Sequence, residues 1–510
     1  MLPTPGEIKV VLVVVTDWLT VTAPSAYQIT YFEWVLLALY FTLMVILSIL
    51  GFHRYQLIYL HRKHHDKVIH QPKHMFDQLP TVTVQLPIYN EPHVIENLLE
   101  SISQIDYPRE LLQIQVLDDS TDETSKIAID TINRLETQGC PIEYRWRPNR
   151  QGYKAGALEA GLTWARGDLI AIFDADFSPS ADFLHQTVHY FSDPSVGVVQ
   201  TRWTYRNRDQ SLLTRLQAIL LDGHFVFEHG ARSCSGRFFN FNGTAGVLRR
   251  SMIQDAGNWQ HDTLTEDTDL SYRAQMRGWK HLYLPDVEVP SELPLDIASF
   301  QTQQARWAKG LTQTAKKTLP NLMRSNLPGK IKLEACFHLA SNFSFPLMII
   351  LTLLLPLTVV IRHQSQSDYL FYYDLPIFLG TFSSLCSFYL LAQRELHPQD
   401  WKKNFLLMPW LPAIGISLTL TNARAVMEAI FNIPSPFERT TKLAGRSPTL
   451  PNSTGNPSLW LSAVHLAAGS YFTFFLGYSL LTGNWVSLPF LFLFALGYFF
   501  AGTLLLKSRK

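Results

Sequence analysis

Gly167-Asp168-Leu169-Ile170-Ala171-Ile172-Phe173-Asp174-Ala175-Asp176 is a short β-rich run closed by two carboxylates one residue apart. Gly167-Asp168 opens the run. Similar runs occur at Thr81–Leu86, Ile114–Leu117 and Val196–Gln200, and helical stretches at Val94–Gln104 and Thr124–Leu135 lie among them. Strands separated by helices predict a mostly parallel α/β sheet from Thr81 to about Leu284. Ligands of such sheets bind beyond the carboxyl ends of the strands. The acidic residues fall there, Asp118-Asp119 after one strand and Asp174-Ala175-Asp176 after another.

The flanks are different. The chain has 510 residues, 47% hydrophobic and 17% charged, too long for one ordinary core. Phe32–Phe52 is almost uninterrupted and matches the roughly 20 apolar residues that a bilayer core requires. His53, Arg54, His61, Arg62, Lys63, Lys67 and Lys73 follow it and predict a cytosolic face for what comes next. Further spans are expected at Phe337–Ile361, Leu375–Leu391, Leu459–Leu481 and Val486–Leu506. Lys9–Val21, short and interrupted by Asp17, reads as an interfacial or lumenal helix rather than a cleaved signal. Phe405–Phe431 has basic flanks on both sides, Pro409 and Pro412 early, and Arg424 and Glu428 inside. These features predict a re-entrant or interfacial element, or a tight hairpin, rather than one crossing. Phe300–Lys332 reads as amphipathic helices on the membrane surface, broken by Pro320 and Pro328.

A formal net charge of +1 argues against a general nucleic-acid binder. The four cysteines (Cys140, Cys234, Cys336, Cys386) show no CxxC spacing, so buried free thiols are expected.

Each acidic or basic cluster has an ordinary reading beside a chemical one. Asp174 and Asp176 at a strand end suit a hard divalent cation, although a lone DxD is more often a solvated turn. Asp118-Asp119-Ser120-Thr121-Asp122 supplies helix caps, and its first two aspartates suit a base or ribose. Arg150–Ala157 opens a helix whose N-terminus, with Lys154, favours anions. Thr265-Glu266-Asp267, with Asp269 nearby, crowds carboxylates, so that one gains proton affinity and can act as a base. The same residues also suit the first turn of a helix, Leu270–Arg277. In Gln303-Gln304-Ala305-Arg306-Trp307, an indole and a guanidinium suit a sugar face and a diphosphate, or a headgroup-level anchor. This cluster stands just before the hydrophobic segments.

Taken together, in this order, these motifs resemble the inverting family-2 glycosyltransferases that build polysaccharides at membranes, the cellulose and hyaluronan synthases among them. The likeness is strongest to the cellulose-synthase-like mannan and glucan synthases of plants and their bacterial relatives. It runs from Val84-Gln85-Leu86-Pro87-Ile88-Tyr89-Asn90-Glu91 to Lys442. The resemblance implies a GT-A-like, Rossmann-like cytosolic domain plus an α-helical transmembrane region. It implies an enzyme that moves a hexose from a nucleoside-diphosphate sugar, UDP-glucose or GDP-mannose, to a growing β-linked glucan or mannan and extrudes it. The alternative is a single transfer to a lipid. By position, Tyr89, Asp118, Asp119, Lys154, Asp174 and Arg306 match nucleotide-binding residues. Asp174 and Asp176 match the ligands of Mg²⁺ or Mn²⁺, and Asp267 matches the catalytic base. Thr244, Ala245, Gly246, Glu266, Gln303 and Trp307 match the acceptor end. Phe437-x-Arg439-Thr440-x-Lys442 resembles a gating loop in which valine is usual where Arg439 stands.

The implied domains are 1–52 (N-terminal helix and first span), 53–80 (basic cytosolic linker), 81–299 (glycosyltransferase domain), 300–335 (interfacial helices) and 336–510 (C-terminal transmembrane region, with a cytosolic loop near 432–457). Membrane lipid and accessory export subunits are the implied partners. A bacterial inner membrane suits the chain as its multi-pass location, with a cytosolic active site, and a Golgi membrane stays open.

Overall fold

A computed structural model describes residues 27–434 and 459–508. The expected helix within Lys9–Val21, the gating-like segment at 437–442 and most of the loop near 432–457 lie outside the described residues.

Seven strands form one mixed sheet: β1 (Val82–Ile88), β2 (Leu112–Asp118), β3 (Glu143–Trp146), β4 (Leu169–Ile172), β5 (Val196–Tyr205), β6 (Gly246–Arg249) and β7 (Lys280–Ser291). Their order is β3-β2-β1-β4-β6-β5-β7. The expected parallel half is present, with β1 pairing in parallel with both β2 and β4, and β2 with β3. β6 runs antiparallel to β4 and β5. β1 and β4 are buried, β4 wholly apolar and β1 with Thr83 and Gln85 hydrogen-bonded to Gln113 and Gln115 of β2. Three strands escape the sequence pattern. β3 and β6 have only four residues each, and β7 carries Pro285, Asp286, Glu288 and Pro290. Prolines fit β7 because it is an edge strand with register shifts against β5.

Among the described residues, five helices are long and apolar enough to cross a membrane: Tyr31–Lys63, Gly329–Gln364, Tyr372–Leu396, Leu459–Leu481 and Leu488–Lys507. They coincide with the five expected spans and mark the chain as membrane-associated. A capping box starts the first of them, in which Glu33 N–H donates to Thr30 Oγ1 and Thr30 N–H donates to Glu33 Oε2. Its 33 residues exceed what a bilayer core needs. The surplus turns pack Leu57, Ile58 and Leu60 on Val226, Phe227 and Ala231 of the α/β unit.

Two expectations about helix breaks need correction. Pro320 does not break its helix, which runs from Ile297 to Arg324. One lost hydrogen bond is outweighed by packing, because Leu322 and Ala315 are buried with Tyr272, Ala335 and Leu339. The break falls at Ser325, and Pro328 starts the next helix, Gly329–Ala340. Pro409 and Pro412 likewise open a helix, Trp410–Ser417, rather than interrupt one. A second short helix, Thr419–Ile430, follows and lies against Ile297–Arg324. Neither short helix reaches bilayer length. In the second, Glu428 meets protein, pairing with Lys309 at 3.0 Å and with the largely exposed Arg424 at 2.8 Å. All four cysteines are free thiols, Cys140 and Cys234 buried, Cys336 and Cys386 half-buried.

Buried charge fastens the membrane helices to the α/β unit. Glu334, 1% exposed at its side chain, accepts from Arg232 Nε at 3.0 Å and faces His53 Nε2 at 3.1 Å. Tyr272 Oη and His338 Nδ1 share a hydrogen bond of 2.8 Å. Removing one member of a buried pair costs about 3–5 kcal/mol, because the other charge stays buried. Glu334→Ala is therefore expected to lower the melting temperature of the purified protein by about 5 °C or more. Glu96→Ala, in an exposed pair with Arg134, is expected to leave it nearly unchanged. Differential scanning fluorimetry in detergent checks both.

Candidate active site

The carboxyl ends of β1, β2 and β4 open on a cleft of about 200 Å³. Tyr89, Asp119, Lys154, Asp174, Asp176, Glu266, Asp267, Gln303, Arg306 and Trp307 all line it. Ten expected site residues, spread over more than 200 positions, thus converge on one cavity.

Each is brought there by its element. β4 ends at Ile172 and the chain turns through Asp174 and Asp176. Asp174 N–H donates to Thr244 Oγ1 at 2.8 Å, which sets the height of that turn. Lys154 stands in the first turn of the helix Tyr153–Leu162. Its Nζ donates to Asp174 Oδ1 at 2.5 Å and to the Gly243 carbonyl at 2.9 Å. The helix Glu266–Met276 begins with the acidic triplet, one turn earlier than the expected start at Leu270. Asp267 Oδ1 accepts from Thr268 N–H at 2.6 Å. Gly243, at φ +81°, lies so close that a Cβ there would sit 2.8 Å from Asp267 Oδ2.

Electrostatics separate these carboxyls. Asp267 is half-buried by exposed surface but sits against the protein wall of the cleft. Desolvation, then the neighbouring Glu266 carboxylate, push its pKa up to about 7, against the pull of Lys154. Desolvation also raises Glu266, with Lys154 and Arg306 opposing. The two titrate as a pair. Burial disfavours the Lys154 charge, but Asp174, Glu266 and Asp267 outweigh it and hold the ammonium protonated. A carboxyl poised near neutrality can take a proton at working pH.

Four expected site residues do not reach the cleft wall. Asp118 is fully buried and accepts from Ser120 N–H at 2.7 Å and from the hydroxyls of Ser125 and Tyr144, each at 2.6 Å. It shapes the loop that presents Asp119. Thr244, Ala245 and Gly246 are also buried, because they lead into strand β6 under the cavity floor. Thr244 acts on the site through Asp174. Ala245 is held at φ +52°, a conformation uncommon outside glycine.

Several contacts at the cleft escaped the sequence reading. Arg147 clamps Asp119 with two donors, Nε to Oδ1 at 2.7 Å and Nη2 to Oδ2 at 2.5 Å. Arg150 stacks its guanidinium 3.3 Å over the Tyr89 ring. Arg150 opens the basic stretch already singled out and Arg147 stands just before it, and their partners were missing. Arg206 Nη2 donates to the Asp176 carbonyl at 3.2 Å. Trp203 and Tyr205 extend the lining along β5, and no motif marked them.

The donor set of Asp174 and Asp176 is purely carboxylate and borders a cleft that holds cations already. It fits a hard divalent metal such as Mg²⁺ or Mn²⁺. At the opposite rim, Glu266, Gln303, Arg306 and Trp307 sit on consecutive turns of two packed helices. Gly310 allows this: a Cβ there would lie 2.6 Å from Thr265 Cγ2 and 2.8 Å from Thr265 N.

Residues 80–310 match the model described as glycosyltransferase like family 2. The chain carries a glycosyltransferase family 2 domain. Curated relatives include two glucomannan 4-beta-mannosyltransferases of Arabidopsis thaliana. Number 7 is 38% identical over 328 residues, covering 61% of this chain and 58% of the relative. Number 2 is 39% identical over 295 residues, 55% of each. Glucomannan 4-beta-mannosyltransferase 1 of Oryza sativa subsp. japonica is 40% identical over 269 residues, 52% of this chain and 51% of the relative. The chain thus spans little more than half the length of the curated relatives it matches. Among solved structures, a mannosyltransferase from Pyrobaculum calidifontis in complex with GDP-Man and Mn²⁺ superposes with a TM-score of 0.50. It is 21% identical and covers 77% of this chain and 100% of its own, which supports the GT-A-like fold. The curated relatives named here are plant proteins, and the expected bacterial inner membrane draws no support from them.

The family-2 domain makes a specific demand of Gly310. Gly310→Val is expected to force the helix Ile297–Arg324 off the acidic triplet, destabilising the protein by about 1–3 kcal/mol. Amide exchange of residues 264–268 should rise in mass-spectrometric hydrogen exchange, while that of β1 should not.

Proposed function

We propose that this protein is a membrane-embedded inverting mannosyltransferase that extends a β-linked mannan-type polysaccharide, with GDP-mannose as donor. One observation carries the reading: the DxD carboxylates, a carboxyl raised to about 7 and the Arg306–Trp307 pair share one cleft. The glucomannan 4-beta-mannosyltransferase relatives support the sugar, and the GDP-Man complex of the archaeal fold neighbour is consistent with the nucleotide. UDP-glucose and a lipid acceptor find no such support.

In this reading the donor lies across the carboxyl ends of the strands. Tyr89, buttressed by Arg150, and Asp119, fixed by Arg147, hold the nucleoside. Lys154 and Arg306 flank the diphosphate. Asp174 and Asp176 would hold Mn²⁺ or Mg²⁺, which when bound neutralises diphosphate charge and eases its departure. The acceptor's terminal sugar stacks on Trp307, with Glu266 and Gln303 within reach of its hydroxyls. Thr244, Ala245 and Gly246 support this end from beneath the floor.

Asp267 takes the proton of the attacking hydroxyl as its oxygen bonds to the anomeric carbon. The carbon–oxygen bond to the diphosphate breaks on the opposite face. An α-linked donor becomes a β-linked product, and the proton resides on Asp267.

The domain limits given above serve as working boundaries. The catalytic face is cytosolic, on the side of the basic residues that follow the first span. The product leaves through the membrane, with or without an export subunit.

A donor screen on purified protein tests the reading. GDP release from GDP-mannose, with a polymer as product, is expected. UDP release from UDP-glucose at an equal or greater rate would refute the donor assignment. Asp267→Asn is expected to lower turnover at least 10³-fold while leaving donor binding within a few-fold. Because the free-enzyme pKa is raised, kcat/KM should rise with pH through a limb near 7 and fall below it. Lys154→Met removes an opposing cation and should move that limb to higher pH.

Trp307→Ala is expected to reduce polymer length and raise the acceptor KM without changing donor affinity. Size-exclusion of radiolabelled product measures it, and unchanged length would make Trp307 a membrane anchor only.

A further inference from the structure

A second cluster of metal-ligating side chains lies away from the catalytic cleft, where the first span ends. His61 is in the last turn of the helix Tyr31–Lys63, and His65 opens the short 3₁₀ turn that follows. Glu395 is the penultimate residue of the helix Phe371–Leu396. We propose that His61, His65 and Glu395 form a zinc-binding clasp that joins the cytosolic ends of these two membrane helices beside the family-2 domain.

The geometry supports this. One ligand atom from each of the three residues lies within 4.8 Å of the other two. His61 Nε2 is 3.2 Å from both Glu395 oxygens. Zinc bonds of about 2.0–2.2 Å at tetrahedral angles place neighbouring ligand atoms about 3.3–3.5 Å apart. The His61–Glu395 edge is already near that spacing. The His65 ring stands edge-on to His61, with centroids 5.6 Å apart, and it is exposed, so its rotation into the site disturbs no packing.

His61 is anchored. It is 5% exposed and packs edge-on against Phe227, with ring centroids 5.2 Å apart. Gly230 makes room for it, since a Cβ there would lie 3.1 Å from His61 Nδ1. A buried imidazole aimed at a carboxylate from a different helix, with a second imidazole alongside, is a preorganised donor set.

Its chemistry differs from that of the cleft. Two imidazoles and one carboxylate favour zinc over magnesium or manganese, whereas Asp174 and Asp176 present oxygen only. Three protein ligands leave a fourth position for water. The basic neighbours Arg62, Lys63 and Lys67 temper the affinity below that of a four-cysteine site. A plain ion pair between His61 and Glu395 would not need His65. That residue separates the two readings.

The test uses the full-length protein in detergent, stripped with a chelator, desalted and titrated with Zn²⁺ alone against a chromophoric chelator, with no nucleotide present. One zinc per chain is expected. His65→Gln and Glu395→Gln should each weaken binding at least tenfold while eluting as monodisperse protein. Asp176→Asn, which alters the cleft carboxylates, should keep zinc affinity unchanged, and equimolar Mn²⁺ should not displace the zinc. Equal zinc binding by wild type and His65→Gln, or loss of binding in Asp176→Asn, overturns the proposal. If a variant aggregates, zinc K-edge absorption of the wild type keeps the test intact: two imidazole ligands are expected, and none refutes it. This test is independent of the donor screen, so either reading can fail alone.

Discussion

The contacts of Lys154 organise the cleft. Asp174, Asp176, Glu266 and Asp267 are among the carboxyl groups that line one small cavity. Like charges at such density repel unless a cation stands among them. Lys154 supplies it, bonding to Asp174 and to the Gly243 carbonyl while feeling both Glu266 and Asp267. One ammonium thereby ties together the first turn of a helix, the end of β4, the loop before β6 and the start of the acidic helix. Burial and the Glu266 carboxylate, against the opposing pull of Lys154, raise the pKa of Asp267 to about 7. Its position is fixed at close quarters, because Gly243 admits no side chain between the loop and Asp267.

The membrane region is coupled to this cleft through long helices and buried polar pairs. The helix Ile297–Arg324 carries Gln303, Arg306 and Trp307 on its cleft side. Further along, its Lys309 pairs with Glu428 and its Lys316 donates to the carbonyls of Ala429 and Ile430. The acidic helix reaches the membrane side through Tyr272 and His338. Glu334 joins Arg232 of the α/β unit to His53 of the first span. A displacement of the first span or of the helix Gly329–Ala340 therefore bears on the elements around the acidic triplet. The stretch Thr419–Ile430, polar for a membrane segment, makes sense as one side of this joint, because its Glu428 and its last carbonyls face Lys309 and Lys316.

Much of this was legible in the residues. The β-rich runs at β1, β2, β4 and β5 announce themselves because buried strands are rich in Val, Ile and Leu. The five apolar helices are marked by length and composition alone. Short or edge strands are not. β3 and β6 have too few residues for a pattern, and the prolines and charges of β7 are tolerated only because it lies at a sheet edge. Proline gave a false break at Pro320, where tertiary packing outweighs one lost hydrogen bond. Among site residues, the aspartates were recognisable by type, but Asp118 and Asp119 are neighbours with opposite fates. One is sealed by Ser120, Ser125 and Tyr144, and the other faces the cleft beside Arg147.

The sequence by itself determined the kinds of element, their order, and which carboxylates, cations and aromatics were available for chemistry. It did so because strand and helix periodicity, apolar length and side-chain chemistry are local properties. Only the tertiary structure decided which groups share a cavity, which are sealed beneath it, and what charge each carries. Desolvation and Coulomb interaction depend on distances of a few ångströms between residues far apart in the chain. Lys154 and Asp267 are separated by more than a hundred positions and are joined only when four elements fold around one ammonium.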